Sequence, residues 1–239
     1  VTALRPFFRY HGAKWRATAA GLYQAPQLDV IIEPFAGAAG YALHHPERQV
    51  ILVEKYPVIA EIWRWLISAS VDEIMAIPPV DDVADLPPQT ALGARYLVGF
   101  AMNAACTSPR RRIARSGLAL RAAGRRFYGW TEAFRERVAS QVPHIRHWRV
   151  IEGDYTEAPD VAATWFVDPP YILQGGGICM VRGDSTTQIW RGGAARGAGR
   201  RWCARAPGLT GCRSDSSARS SPGQGRALPS KSYGPSVRH

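Results

Sequence analysis

The chain has 239 residues, 46% of them hydrophobic, with 30 Lys and Arg against 19 Asp and Glu and a formal net charge of +11. That length can bury a sizeable core without disulfides, as one large domain or as a core with an inserted lobe. No apolar run approaches the roughly 18 residues of a membrane span and the start lacks the layout of a signal peptide, so a soluble, cytoplasmic protein without a membrane partner is expected.

The first 16 residues, "VTALRPFFRYHGAKWR", interleave aromatic and basic side chains. In "LDVIIEPFAGAAGYAL" the β-branched run Val30, Ile31, Ile32 predicts a buried strand that ends at Glu33 and passes through a Gly/Ala turn into the start of a helix. "RQVILVEKYPVIAEIWRWLISAS" repeats the pattern, with a strand over Val50–Val53, an acid at its end, and a helix carrying Ile59, Ile62, Trp63 and Leu66 on one face. Residues 78–90 are rich in proline and acids and read as a connection. "TALGARYLVGFAMNAACTS" has helical periodicity and is followed by the basic stretch "PRRRIARSG". A further helix is predicted where Trp130, Phe134 and Val138 recur every four residues, which makes residues 72–147 a mainly helical insert. "RVIEGDYTEA" and "ATWFVDPPY" then return as two short strands.

Strands alternating with helices predict a parallel α/β sheet. Its four strands are expected to end at Glu33, Glu54, Asp154 and Asp168, and ligands of open α/β sheets bind outside the carboxyl ends of the strands. Four acids are therefore expected to converge on one crevice.

Residues 173–239 differ in kind. They carry 11 Lys/Arg and 2 Asp/Glu, whereas residues 1–172 carry 19 and 17, so a net of +9 out of +11 lies in the final part. Ile, Leu, Val and Phe supply only seven of these 67 residues, too few to offset the entropy of ordering them. Three of the four cysteines lie there (Cys179, Cys203, Cys212) without CxxC spacing, so neither a metal site nor a disulfide is expected. The Arg/Gly/Ala/Ser/Pro bias is that of GC-rich coding DNA translated in the wrong frame, and a frameshift near Gly175–Gly177 is expected. The rival reading is a disordered basic tail that binds nucleic acid without sequence preference.

The chemistry concentrates in short motifs. In "EPFAGAAG", Gly37 and Gly40 let the backbone turn tightly and approach a ligand, although an ordinary strand-to-helix turn has the same composition. Glu54, at the end of the second strand, suits a pair of ribose hydroxyls, or equally the positive end of the next helix. Asp168-Pro169-Pro170-Tyr171 is the more specific signal, since proline at ~5% of residues makes a chance match on the order of once per thousand chains of this length. Two prolines stiffen the turn and remove two N–H donors, so an Asp carboxylate and a proline carbonyl can hold an NH₂ group between them. Tyr171 adds a ring on which a planar base can stack.

On "FFRYHGAKW", "EPFAGAAG", Glu54, "GDY" and "DPPY", in that order and with a helical insert before "GDY", residues 5 to about 172 resemble the Dam-type DNA adenine methylases, which methylate the adenine amino group using S-adenosylmethionine. The resemblance implies a Rossmann-like methyltransferase fold with a helical target-recognition insert, its sheet incomplete after residue 172. Residues 1–70 and 149–172 would form the two parts of the core, residues 71–148 the insert and residues 173–239 the tail. By the same resemblance, Tyr10 and Lys14 flank the methionine part of the cofactor, and Pro34, Phe35 and Gly37 line its path. Glu54 binds ribose, Asp154 the adenine amino group, and Asp168 faces both cofactor and target. Asp168 orients the target amine, the Pro169 carbonyl is its second acceptor, Pro170 stiffens the turn, and Tyr171 stacks on the base. Ala13, Ala38 and Ala39 depart from the family pattern and bear on cofactor affinity.

A base inside a duplex must be flipped out to reach such a pocket, at a cost of ~a few kcal/mol. Contacts of Arg110, Arg111, Arg112, Arg115, Arg125 and Arg126 with double-stranded DNA phosphates would offset that, although such a cluster also suits a solvated face. The implied activity is site-specific adenine methylation by a monomer with no metal, and a cognate restriction endonuclease is the partner such an enzyme would have. The same motifs leave open methylation of a cytosine amino group or of RNA, and the basic residues leave open a non-catalytic nucleic-acid binder.

Overall fold

Val30-Ile31-Ile32 crowd a helix but fit a pleated sheet, and they open β1 (Val30–Glu33), the central strand of the computed structural model. The structure describes residues 2–102 and 106–169. Pro170, Tyr171 and the segment of residues 173–239 lie outside the described residues. On one side β1 pairs with β2 (Gln49–Glu54), with Ile32 opposite Ile51, and β2 pairs with β3 (Arg149–Glu152), with Val53 opposite Ile151. On its other side β1 pairs with β4 (Thr164–Trp165), with Ile32 opposite Trp165. All three pairings are parallel and the order is β3-β2-β1-β4. The protein is thus α/β, with a small parallel sheet that has four strands among the described residues. The strand order reverses between β1 and β4, the kind of position where open α/β sheets bind ligands.

The helices are α1 (Trp15–Ala19), α2 (Pro57–Ser68), α3 (Val71–Ala76), α4 (Leu92–Ala101), α5 (Arg115–Ala122) and α6 (Glu132–Gln141). Pro57 starts α2, where its fixed φ suits the first turn and its missing N–H costs nothing. Ile59, Ile62, Trp63 and Leu66, the expected apolar face of α2, are all buried. Ser70 and Glu73 close α3 with a capping box, each side chain accepting from the other's backbone N–H. Thr131 caps α6 by accepting from Phe134 N at 3.2 Å. Trp130, Phe134 and Val138 are buried in the same hydrophobic cluster as Ile31, Trp63 and Phe100, so the helical segment and the sheet share one core.

One local expectation is corrected. The helix expected to leave the Gly/Ala turn is a single 3-10 turn, Ala42–His44. Pro46 is the physical reason: it drives the preceding residue out of the helical region, and His45 lies at φ −132°, ψ 52°. The pairing of the "ATWFVDPPY" strand with β1 covers Thr164 and Trp165, with Phe166 N adding one bond to Ile32 O at 2.9 Å. The next bond of that ladder would come from Pro34, which has no N–H to offer. Among the described residues no helix is long and apolar enough to cross a membrane.

The packing of α4 on α2 depends on a missing side chain. A Cβ on Gly93 would lie 2.4 Å from Trp65 Cβ and 2.7 Å from the Glu61 carbonyl oxygen, and the latter, as backbone, cannot rotate away. Gly93→Ala is expected to push α4 off α2 and to cost about 1–3 kcal/mol, read as a lower urea midpoint with an unchanged slope. An unchanged midpoint would show that the two helices do not need this close approach.

Candidate active site at the carboxyl edge of the sheet

Because all four strands run the same way, their ends share one edge, and the turn after β1 is tied to the end of β2 there. Glu54 accepts from Gly37 N with Oε2 at 2.8 Å and from Tyr56 N with Oε1 at 2.9 Å. Trp63 Nε1 donates to the Gly37 carbonyl at 2.8 Å, and Ala36 N donates to Val53 O at 3.1 Å. Gly37 has φ +46°, and a Cβ there would sit 3.2 Å from Tyr10 Cδ1, so the Tyr10 ring closes directly over the turn. At Gly40 a Cβ would come within 2.8 Å of Lys14 N and 2.7 Å of Trp15 N, which lets the amino-terminal segment lie against the loop. Ala39 also occupies the left-handed region, at φ +50°, where an L-residue costs about 1–2 kcal/mol that glycine would not incur.

Lys14, delivered by that close approach, bridges to the last described strand. Its Nζ donates to Asp168 Oδ2 at 2.7 Å and to the Gly12 carbonyl at 2.6 Å. Both side chains are largely covered, so neither charge is screened well and each needs the other. Burial raises the Asp168 pKa, and the Lys14 bond and charge oppose that rise. Asp168 Oδ1 is buried and, among the described residues, has no hydrogen-bond partner. A buried acceptor without a donor invites one.

Glu33 departs from the expected crevice. It is fully buried, and its Oε1 accepts from Ala42 N at 2.7 Å, so it caps the 3-10 turn from beneath. Its pKa is pushed up to about 8, by burial first; the Ala42 N–H opposes the shift and the nearby Asp168 charge adds to it. Asp154 pairs with Lys55 Nζ at 3.0 Å and accepts from the Thr156 N–H and hydroxyl at 3.4 and 3.3 Å, which lowers its pKa, through Lys55 first.

The remaining expected cofactor residues divide. Phe35 is half-buried and tilts against Tyr155 with ring centroids 5.4 Å apart, a slot edge beside Asp154. Tyr10 is half-buried, and burial and then Glu54 raise its pKa. Pro34 is buried and offers no exposed lining. The Glu54 carboxylate accepts from backbone N–H groups and keeps acceptor capacity for a hydroxyl, and Asp168 Oδ1 accepts from no donor among the described residues. Burial raises the Glu54 pKa, and the N–H groups of Tyr56, Gly37 and Lys55 pull it back. Among the described residues no group of three or more His, Cys, Asp or Glu could hold a metal ion.

The six arginines expected at a nucleic-acid surface are all exposed. Arg111 Nε pairs with Asp82 Oδ1 at 3.2 Å and Arg112 Nε with Asp82 Oδ2, so one acid partly offsets two of them. That acid has its pKa lowered to about 2, by the Ala84 N–H first and then Arg112. Asp82 had been legible only as part of an acidic connection. Lys55, beside Glu54, carries no motif signal, and Tyr155 is part of "GDY" without a role of its own in the sequence.

No protein-family model matches the chain, and a search of curated proteins returns no match either.

The raised Glu33 pKa has a sign. Folded Glu33 keeps its proton up to about 8, whereas the unfolded carboxyl releases it near 4.5. Its contribution to stability is complete below about 4.5 and is lost as pH rises through about 8. Glu33→Gln keeps an acceptor for Ala42 N and removes the titration. Chemical unfolding at a series of pH values is expected to show stability falling across that window in the wild type and a flatter profile in the variant. Equal slopes would refute the assignment.

Proposed function

We propose that the chain is built as an S-adenosylmethionine-dependent DNA methyltransferase acting on the exocyclic amino group of adenine. The observation that carries this reading is the Lys14–Asp168 pair at the β1/β4 end, which engages one carboxylate oxygen and leaves Oδ1, beside Pro169, an acceptor without a donor among the described residues. S-adenosylmethionine, held by Glu54 at the ribose and by Phe35, Tyr10 and Asp154 around it, would supply an electrophilic methyl group. Asp168 and Lys14 do the rest of what is legible. Lys14 pins Oδ2, so the carboxylate cannot turn away, and Oδ1 accepts one N–H of an incoming amine. The Pro169 carbonyl, by the resemblance, accepts the other, and an amine held at both N–H groups presents its lone pair away from the acceptors. No covalent enzyme intermediate is needed; positioning and fixed acceptors carry the catalysis. Net negative side chains at this edge also suit a sulfonium cation. Arg110, Arg111, Arg112, Arg115, Arg125 and Arg126 would contact the duplex that presents the flipped base.

Calorimetric titration with S-adenosylmethionine comes first, because binding needs less of the site than transfer does. Binding that weakens tenfold or more in Glu54→Ala is expected; no binding at millimolar cofactor would overturn the proposal. Labelled-methyl transfer to adenine in duplex DNA reads the second half, with Asp168→Ala expected to lose at least a thousandfold. Transfer that survives Asp168→Ala would remove that residue from the chemistry. Resequencing the DNA across codons 165–185 accompanies both assays. If another frame yields strands and helices downstream, transfer by the chain as given is expected to be slight and cofactor binding alone decides.

A further inference from the structure

Three arginines, Arg5, Arg9 and Arg137, gather without an ion pair among the described residues. Arg9 lies over the Tyr128 ring, its guanidinium carbon 4.1 Å from the centroid, and its Nη2 donates to the Phe127 carbonyl at 2.9 Å. Arg137, on α6, stacks against the neighbouring rings, 5.2 Å from Phe127 and 4.4 Å from Phe134. Arg5 is fastened to the same face of α6. Gln141, one turn beyond Arg137, accepts from Arg5 N at 2.6 Å and donates to Arg5 O at 3.0 Å. The Arg5 guanidinium in turn rests over Trp15 at 4.9 Å.

Stacking uses the flat face of a guanidinium and leaves its N–H edge for an acceptor. Here the edges are under-used: Arg9 Nη1 and Arg137 Nε are buried without a hydrogen-bond partner among the described residues. Two of the cations also act on the third. Burial first, then the charges of Arg9 and Arg5, lower the Arg137 pKa to about 10, with no acid acting in the other direction. If these side chains only propped up the Phe127–Tyr128 segment, leucine or methionine would do so without three repelling charges. Clustered like charges, held flat by aromatic rings and short of acceptors, are arranged for an anion with several oxygens.

We infer that Arg5, Arg9 and Arg137 form a binding site for a phosphate group. The tetrahedral oxyanion can belong to a nucleic-acid backbone or to a small free phosphate, and the two sources separate by experiment. The site uses none of the six exposed arginines of residues 110–126, and it does not depend on cofactor binding or methyl transfer, which the calorimetric and labelled-methyl assays read independently.

The test uses the full chain with two probes: a duplex oligonucleotide followed by fluorescence anisotropy across a salt series, and inorganic pyrophosphate followed by calorimetry. Arg5→Gln changes an exposed side chain and should leave the fold intact. Arg137→Gln and Arg137→Lys are checked for folding by circular dichroism. Each glutamine variant is expected to weaken binding about tenfold and to lower the salt slope of duplex affinity by about one. Arg137→Lys should recover the slope but only part of the affinity, because an ammonium cannot reproduce the fork. An effect confined to the duplex identifies the backbone phosphate as the ligand, and an effect on pyrophosphate identifies a free one. Unchanged affinity and slope for both probes in folded Arg5→Gln and Arg137→Gln would overturn the inference; if Arg137→Gln does not fold, Arg5→Gln decides alone.

Discussion

Two acid side chains at strand ends hold the turn on which the carboxyl edge is built. Between β1 and β2 there is no long helix to cover the crossover, so the loop of residues 34–48 must satisfy its own backbone. Glu54 takes the Gly37 and Tyr56 N–H groups and Glu33 takes the Ala42 N–H, one working from the neighbouring strand and one from below. The Tyr10 ring and the Lys14 backbone can then approach two glycines that offer no obstruction. Lys14 in turn reaches Asp168. Remove these acid side chains and the loop loses its shape, the amino-terminal segment its seat, and Asp168 its partner.

The same arrangement separates acids that look alike in the sequence. Glu33, Glu54, Asp154 and Asp168 all follow apolar strands, yet their surroundings push them in different directions. Glu33 is sealed in and keeps its proton, while Asp154 stands beside Lys55 and loses its own readily. Asp168 lies between, raised by burial and restrained by a lysine. Such a division also eases the edge itself, because a row of four ionised carboxylates would repel itself.

Much of this was legible beforehand. β-branched runs marked β1 and β2, four apolar positions marked the buried face of α2, and the spacing of Trp130, Phe134 and Val138 marked the wall that α6 builds. These signals are short in range and depend on periodicity, which a linear reading captures. Failures came where a distant residue decides the outcome. The helix after Gly40 shrinks because of Pro46, and the β1–β4 ladder ends where Pro34 would have to donate; each proline acts on residues beyond its own position. Asp82 gathers Arg111 and Arg112 across some thirty positions, and Arg5, Arg9 and Arg137 meet only because α6 folds back on the amino-terminal segment. No local pattern announces such meetings.

Lys14 and Asp168 are 154 positions apart. Closing that interval brings a large loop entropy into the last step of assembly, and contacts of such long range slow folding. On a ribosome, residues 10–15 emerge early and can settle against the turn only after β1 and β2 have formed, while the aspartate that completes the pair emerges after every helix of the insert. Until then the Lys14 ammonium lacks its aspartate. The order of synthesis therefore makes this edge the last part of the described structure to be finished, and the first to open if β4 is pulled away.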